Sequence, residues 1–196
     1  HVRSRRQRQM CIRDRADAVF NVVVGDSLVS FFREYNNVGL DASEMPVMSM
    51  CVGEEEVKSI GAASVAGQLT SWNYYQSLDT PANQRFVRDF RARFGNSRVT
   101  SDPMESAYTA VYLWKAAVEK GKSFAASEVR RSAGGVSFDG PEGHVTIDGA
   151  NHHVTKTARI GVVNANGMID QVWQSPQLIT PDPFLTTYPW AAGVAS

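Results

Sequence analysis

The clearest pattern of apolar and polar positions lies near the beginning of the chain, over residues 17–35. Apolar and mostly β-branched residues fill 19–24, except for one asparagine, and stop at the polar turn Gly25-Asp26-Ser27. The next apolar residues have the spacing of one helix face: Leu28, Phe31, Phe32 and Tyr35. Such an apolar run favours a strand covered on both faces, as in a parallel sheet. Ligands of open α/β sheets bind where a strand ends and a helix begins, so this turn is the first candidate site.

The same alternation of strand and helix continues through the first third of the chain. Residues 46–52 and 69–75 predict two further strands. Residues 54–60 predict a short helix whose first turn holds three glutamates, which suit the positive end of a helix dipole. The order β-α-β-α-β predicts a parallel sheet with right-handed crossovers.

Three helices are predicted next. Thr80-Pro81 and Ser101-Asp102-Pro103 are helix starts, and the corresponding helices end near Gly95 and Gly121. In the first of them a phenylalanine stripe predicts core packing: Phe86, Phe90 and Phe94. In the second, the predicted apolar face consists of Met104, Ala107, Tyr108, Val111, Trp114 and Val118. Residues 125–133 predict a shorter third helix.

The last third predicts β-structure and an irregular end. Residues 136–163 are rich in β-branched residues, with turns expected at Asp139-Gly140 and Asp148-Gly149. Asn166-Gly167 lies between two apolar runs and predicts a hairpin with a type I′ turn. Residues 175–196 contain four prolines, which exclude a regular helix. We expect this segment to lie extended over the surface, pinned by Phe184, Tyr188 and Trp190.

Composition and charge exclude several classes of protein. The 196 residues are 43% hydrophobic, enough to bury a core, and the formal net charge is zero. Residues 1–15 carry six arginines against one aspartate, so the remainder is acidic with a net charge of −5. We therefore expect no nucleic-acid partner. No apolar run is long enough for a membrane span, and the arginine-rich start has no signal-peptide core. Residues 1–16 are expected to be a disordered or foreign basic leader; the alternative is a nucleic-acid or membrane-binding arm.

Cysteines and histidines give no evidence of a metal or a cofactor. Cys11 and Cys51 are far apart in sequence; we expect two free thiols, with a disulfide as the alternative. His152 and His153 are adjacent, and neighbours on a strand point to opposite faces, so both cannot reach one ion. We expect exposed or turn-capping histidines. No glycine-rich phosphate loop is present. The predictions are therefore no metal and no cofactor.

Gly25-Asp26-Ser27-Leu28 spells the four-letter signature of the GDSL esterases, in which the serine is the nucleophile. That chemistry needs a histidine placed three residues after an aspartate and a Gly-x-Asn-Asp element, and the sequence has neither. Without an oriented imidazole, a serine hydroxyl stays protonated and unreactive. We therefore expect no catalytic residue. The aromatic, amide and carboxylate groups at the strand ends are suited to hydrogen-bonding a small polar solute.

Six segments in order, from about residue 17 to residue 190, resemble the urea-type solute-binding proteins of ABC importers. They are VVVGDSLVSFF, PVMSMCVGEEEV, SWNYYQSLDTPANQRFV, RVTSDPMESAYTAVYLWKAAVEK, FDGPEGHVTIDGANHHVTKTARIG and WQSPQLITPDPFLTTYPW. The resemblance implies an α/β fold of the periplasmic-binding-protein type I class, with two parallel-sheet lobes, truncated to its C-terminal half. Residues 17–75 would be part of the second lobe and 76–158 a segment of the first. Residues 159–196 would form a return strand, a C-terminal β-hairpin region and an extended tail.

The resemblance also implies a function. It is that of a non-enzymatic, periplasmic solute-binding subunit of an importer for urea or short-chain amides, whose partners are the ABC transporter permease subunits. The alternative of the same fold is a cytoplasmic amide-sensing regulator, which genomic neighbours would distinguish; the second alternative is the esterase. The resemblance further implies that this chain alone binds urea weakly or not at all.

The resemblance also implies a set of ligand-binding residues, each identified by its position in a motif that matches the family. The implied set is Val24, Gly25, Asp26 and Ser27 in the first loop, Met50, Cys51 and Glu54 in the second, and Pro103, Met104 and Glu105 on the long helix. The rings of Trp72 and Tyr74 would cover the flat face of the solute, and Asp26, Glu54 and main-chain carbonyls would accept its N–H groups. Members of the family usually have serine at the position of Cys51, and a thiol is a poorer hydrogen-bond partner for an amide.

Overall fold

The computed structural model describes residues 16–191. The predicted leader, apart from Ala16, and Cys11 lie outside the described residues. The chain divides into two compact units. Unit 1 contains the residues up to Trp72 together with 160–172, and unit 2 contains 73–159 and the residues from Trp173 onward. The polypeptide therefore passes between the units three times.

Unit 1 is built on a five-stranded sheet in the order β1-β2-β3-β7-β8. Its strands are β1 (Val19–Asn21), β2 (Val47–Ser49), β3 (Leu69–Trp72), β7 (Arg159–Val163) and β8 (Ile169–Gln174), the last running two residues beyond unit 1. Its helices are α1 (Asp26–Asn37), α2 (Glu54–Ile60) and α3 (Ala62–Val65). β1 pairs with β2 and β2 with β3 in parallel, as predicted. The most deeply buried apolar side chains of this unit are Leu28, Phe32, Val47, Val57, Val65, Val163 and Ile169.

The prediction that the first strand is covered on both faces is wrong. β1 is an edge strand, and Phe20, Val22 and Val24 are each more than 60% exposed. The residue that β1 buries is Asn21, whose side-chain amide donates to Ser49 Oγ at 3.0 Å. Alternate residues of a strand point to opposite faces, so burying Asn21 turns Phe20 and Val22 outward.

Unit 2 combines three helices with a three-stranded antiparallel sheet. The helices are α4 (Pro81–Phe94), α5 (Asp102–Gly121) and α6 (Ala126–Ala133), and the strands are β4 (Ser137–Gly140), β5 (Gly143–Ile147) and β6 (Val154–Thr155). A core of Leu113, Ala117, Val136 and Val145 lies between them. The expected turn at Asp139-Gly140 is wrong, because both residues belong to β4. An added Cβ at Gly140 would lie 2.9 Å from Thr109 Oγ1, so close packing requires this glycine.

Local signals predicted the helix starts better than the helix faces. The Thr80 hydroxyl accepts a hydrogen bond from the N–H of Asn83 and caps α4 ahead of Pro81. The phenylalanine stripe of α4 is only partly core, since Phe86 is buried and Phe94 is 59% exposed. The predicted apolar face of α5 is also wrong in part. Val111 and Trp114 are at least half exposed, whereas the helix buries Asp102, Glu105, Thr109, Leu113, Ala117 and Val118.

The predicted hairpin is present as the neighbouring strands β7 and β8, but its turn is not of type I′. The N–H of Gly167 donates to the carbonyl of Asn164, and Gly167 has a φ of 77°. Asn166 does not have the positive φ that a type I′ turn requires. The loop is therefore one residue longer, with glycine in the left-handed position after the turn.

From residue 175 to residue 191, the C-terminal segment is irregular apart from a short 3₁₀ helix, Pro189–Ala191. The prediction that aromatic rings pin it is wrong, because Phe184, Tyr188 and Trp190 are 69%, 44% and 72% exposed. Backbone pairing holds it instead: the N–H of Ile179 donates to the carbonyl of Lys156 at 2.8 Å.

Candidate functional site

The loop after β1 has the geometry that the sequence predicts for a strand-to-helix turn. Gly25 precedes α1 with a φ of 65°, a conformation that residues with a side chain rarely adopt. Its carbonyl accepts the N–H of Leu28 at 3.0 Å, and buried Leu28 anchors the helix. Asp26 opens α1, where a carboxylate suits the helix dipole, and Ser27 follows it. Both residues, like Val24, are exposed.

The loop after β2 lies beside the first loop and is bonded to it. The N–H of Met50 donates to the carbonyl of Asn21 at 3.0 Å. The thiol of Cys51 donates to the carbonyl of Val23 at 3.3 Å. Burial, and then the negative charge of Glu56, raise the pKa of this thiol, so Cys51 stays a neutral donor. The residue that departs from the family pattern therefore links the two loops.

Two of the three glutamates at the start of α2 have different surroundings. The Glu56 carboxylate accepts the N–H of Gly53 at 2.9 Å, which closes the first turn of the helix. Glu54 is 1% exposed, so its carboxylate lies inside unit 1. The last strand of this group, β3, is fixed nearby, because the Thr70 hydroxyl donates to the carbonyl of Val52 at 2.5 Å. Trp72 ends β3 with its ring partly buried.

The structure thus brings together the predicted site residues of unit 1. β1, β2 and β3 are parallel neighbours, so their carboxyl ends meet at one edge of the sheet, the position of ligand sites in open α/β folds. We call this group the unit 1 edge: Val24, Gly25, Asp26, Ser27, Met50, Cys51, Glu54 and Trp72.

The other predicted site residues belong to unit 2. Tyr74 has no exposed surface, and its hydroxyl bonds to Asn83 Oδ1 and Thr100 Oγ1, both at 2.7 Å. Glu105 is also fully buried and accepts the Thr109 hydroxyl at 2.6 Å. These two side chains therefore have structural partners within unit 2. Exposed Pro103 and partly buried Met104 lie in the first turn of α5. A solute contact of these four residues stays a prediction.

Sequence reasoning missed a buried group of charges around Glu105. We call it the unit 2 charge cluster: Asp102, Glu105, Glu142, Lys156 and Arg159. The Asp102 carboxylate accepts the N–H groups of Asn73 and Tyr74, both at 2.9 Å. Lys156 pairs with Glu142 at 2.8 Å and also donates to Ser106 Oγ at 3.1 Å.

Arg159 ties the cluster to the backbone. Its guanidinium donates to the carbonyl of Glu142 at 2.9 Å and to the carbonyl of Asn73. Asn73 and Arg159 are the residues at which the chain enters and leaves the first part of unit 2. The cluster therefore fixes both ends of this part of the chain.

Burial sets the protonation of the carboxylates in the cluster. It raises the pKa of Asp102 and of Glu142, and in both the charge of Lys156 opposes the increase. Burial, and next the negative charge of Glu142, raise the pKa of Glu105 to about 7. Three carboxylates face two cations, so one proton on Glu105 balances the charge.

Other features of the described residues do not add a second site. Within residues 16–191, no group of three or more histidine, cysteine, aspartate or glutamate side chains is arranged to hold a metal ion, and no helix is long and apolar enough to cross a membrane. His152 lies in a turn with a φ of 61°, and both it and His153 are exposed. A pocket of about 600 Å³ in unit 2, whose lining includes Asp79, Arg88 and Arg91, contains none of the predicted site residues.

Comparison with known proteins identifies a family to which the sequence is similar. A sequence model of the Periplasmic binding protein domain family matches residues 7–189. A curated protein named Limonene hydroxylase, from Geobacillus stearothermophilus, is 32% identical over 127 residues, which are 65% of this chain and 23% of that protein. Leu/Ile/Val-binding protein homolog 6 from Brucella melitensis is 29% identical over 136 residues, 67% of this chain and 34% of that protein.

Solved structures share the fold. A solute-binding protein of an ABC transporter from R. palustris, in complex with benzoate, superposes with a TM-score of 0.77 at 18% identity, covering 93% of this chain and 49% of that one. The chain spans about a third or less of these two curated relatives and about half of this structure. The predicted α/β fold of the periplasmic-binding-protein type I class is confirmed. With a family model matched along most of its length, the chain belongs to the Periplasmic binding protein domain family.

Proposed function

We propose that this chain is part of the solute-binding protein of an ABC importer, and that the protein works in the periplasm with the permease subunits of the transporter. The observation that carries the proposal is the family match over residues 7–189. The unit 1 edge supports it, because two neighbouring strand-to-helix loops are held together there by hydrogen bonds from Met50 and Cys51. Such an edge is prearranged to contact a small molecule.

The charges of unit 1 favour a solute without a carboxylate. Asp26 and Glu54 supply two acidic groups at the unit 1 edge. Among the described residues of unit 1 the cations are Arg33 and Lys58. Arg33 lies seven residues after Asp26 along α1, roughly 10 Å farther from the loop. A carboxylate solute would therefore meet like charges on this side, whereas the N–H groups of urea or a short amide would find acceptors.

The names of the relatives favour a second class of solute. One relative is named for leucine, isoleucine and valine, and one solved structure holds benzoate. The ammonium group of an amino acid would also suit Asp26 and Glu54, since acidic side chains bind cations. Urea or a short amide is our proposal for the solute, and a branched-chain amino acid is the second candidate.

A titration followed by ¹H–¹⁵N NMR tests these candidates on the chain itself and detects weak binding. Separate samples receive millimolar urea, acetamide, leucine or benzoate. The proposal expects saturable shifts for urea or acetamide at the backbone amides of Gly25, Ser27 and Cys51. Shifts produced by leucine alone would favour the second candidate. If none of the four solutes moves these amides, the unit 1 edge is not a solute site.

The proposal includes no catalysis at Ser27. The described part of unit 1 contains no histidine, since His144, His152 and His153 belong to unit 2. Ser27 therefore has no imidazole base among the described residues of unit 1. A fluorophosphonate probe should leave Ser27 unlabelled, as judged by mass spectrometry of the intact chain. Stoichiometric labelling that Ser27→Ala abolishes would restore the esterase alternative.

A further inference from the structure

The indole N–H of Trp72 is a buried donor that the described residues do not satisfy. Trp72 is the last residue of β3, and its Nε1 has no hydrogen-bond acceptor among residues 16–191. The large majority of buried side-chain polar atoms in native proteins have a partner. Leaving such a donor without one costs about 1–3 kcal/mol. This N–H therefore needs an acceptor that residues 16–191 do not supply.

Trp72 lies where the proposed solute would bind. β3 runs parallel to β2, with Ser49 aligned to Thr70. The hydrogen bond from Thr70 to the carbonyl of Val52 fixes the end of β3 against the loop that leads into α2. This loop carries Cys51, and Glu54 follows it. The indole thus belongs to the same sheet edge as the carboxylates.

The hydrogen-bonding groups of the unit 1 edge are complementary to an amide. The carboxylate oxygens of Asp26 and Glu54 are hydrogen-bond acceptors, and the thiol of Cys51 is used by the carbonyl of Val23. An indole N–H can only donate. Urea and short amides carry N–H groups that suit the carboxylates and one carbonyl oxygen that suits the indole.

We propose that the Trp72 indole N–H donates a hydrogen bond to the carbonyl oxygen of the bound solute, which makes Trp72 a specificity-determining residue for neutral carbonyl compounds. This inference rests on the proposed function of the unit 1 edge. It assigns to Trp72 the recognition of the oxygen, beyond the stacking expected of an aromatic ring. A solute with N–H groups but no carbonyl, such as guanidinium, does not receive this hydrogen bond.

Indole NMR signals provide a direct test. The chain has four tryptophans, and the ¹⁵N signal that disappears in Trp72→Phe identifies Trp72. On titration with acetamide, the Trp72 indole proton should move downfield with the same saturation curve as the amides of Gly25 and Cys51. The Trp114 signal, from a ring in unit 2, is the control and should not move. Millimolar guanidinium should leave the Trp72 indole proton in place.

Affinities add a second measurement. Trp72→Phe keeps an aromatic ring but lacks the donor, and should weaken acetamide binding by about tenfold, the value of one hydrogen bond. Trp114→Phe should bind as the unchanged chain does. If the loop amides move while the Trp72 indole proton does not, the inference is wrong and the proposed function stands. If neither the loop amides nor the Trp72 indole proton moves, the proposed function fails, and the inference fails with it.

Discussion

The substitution Glu105→Gln removes one ionisable group from the unit 2 charge cluster and keeps its shape. Glu105 is fully buried, and the Thr109 hydroxyl donates to its Oε1 at 2.6 Å. The glutamine carbonyl can accept the same hydrogen bond. The variant therefore isolates the effect of the charge, because the packing and the bond to Thr109 are retained.

The expected size of the effect follows from the pKa of Glu105. Burial and the charge of Glu142 raise this pKa from 4.5 to about 7. The folded chain then binds a proton that the unfolded chain releases, so stability falls as the pH rises from about 4.5 to about 7 and changes little above that. This increase in pKa corresponds to about 3 kcal/mol of unfolding free energy. Glutamine does not titrate, so the variant avoids this loss.

Unfolding in guanidinium chloride at several pH values measures the effect, with far-UV circular dichroism as the probe. We subtract the unfolding free energy of the unchanged chain from that of Glu105→Gln at each pH. This difference should increase by about 3 kcal/mol between pH 4 and pH 8. Glu119→Gln is the matched control on the same helix. Glu119 is exposed, and solvent screens its pair with Lys115, so its substitution controls for replacing a glutamate of α5 outside the cluster.

Two results would refute this reasoning. A difference that stays constant from pH 5 to pH 8 would mean that Glu105 titrates at its ordinary pKa. A variant that is less stable than the unchanged chain at pH 8 would mean that the cations of the cluster, Lys156 and Arg159, need all three carboxylates ionised. In that case the charge balance inferred for the cluster is wrong.

Three further predictions concern unit 2. Asp102→Ala leaves the buried N–H of Tyr74 and the partly buried N–H of Asn73 without their acceptor and should cost about 2–4 kcal/mol of unfolding free energy in guanidinium chloride; a loss below about 1 kcal/mol would contradict it. Gly140→Ala places a Cβ 2.9 Å from Thr109 Oγ1 and should cost about 1–3 kcal/mol, visible as a lower Tm, whereas an unchanged Tm would show that the packing there is loose. Four hydrogen bonds from Thr186 and Thr187 hold the pKa of Asp182 to about 2. They stabilise the fold above its ordinary pKa of 3.8 and are lost as the pH falls through about 2, so a ¹³C titration of this carboxyl with a midpoint near 4 would exclude them.

The helix starts and the parallel strands were predictable because they depend on short stretches of sequence. Thr80-Pro81 starts α4 with a side-chain cap, and α2 covers the predicted residues 54–60. Parallel pairing of the first three strands followed from their alternation with helices. The prediction of a type I′ turn also rested on a short stretch of sequence, but it was wrong. An Asn-Gly pair does not by itself fix the length of the loop.

The unit 1 edge was predictable for a similar reason. Its residues lie at the end of a strand or in the loop and helix start that follow one, and parallel strands bring their carboxyl ends to one edge. Local sequence could not show the hydrogen bond from Cys51 to the carbonyl of Val23, because it joins two loops 28 residues apart. Nor could it show that the indole N–H of Trp72 lacks an acceptor among residues 16–191, which depends on everything packed around the ring.

The unit 2 charge cluster shows where periodicity misleads. The apolar positions of α5 predicted one buried face, but the first half of the helix buries Asp102, Glu105 and Thr109 instead. Polar side chains can be buried when partners satisfy them, and here those partners lie far away in sequence: 29 residues between Asp102 and Asn73, and 50 between Lys156 and Ser106. A hydrophobicity pattern contains no information on such pairs. Within unit 2, Arg159 bonds to the carbonyls of Asn73 and Glu142, so the cluster holds together the residues at which the first part of this unit begins and ends. This role explains why a helix in a small unit keeps carboxylates inside despite the cost of burying them.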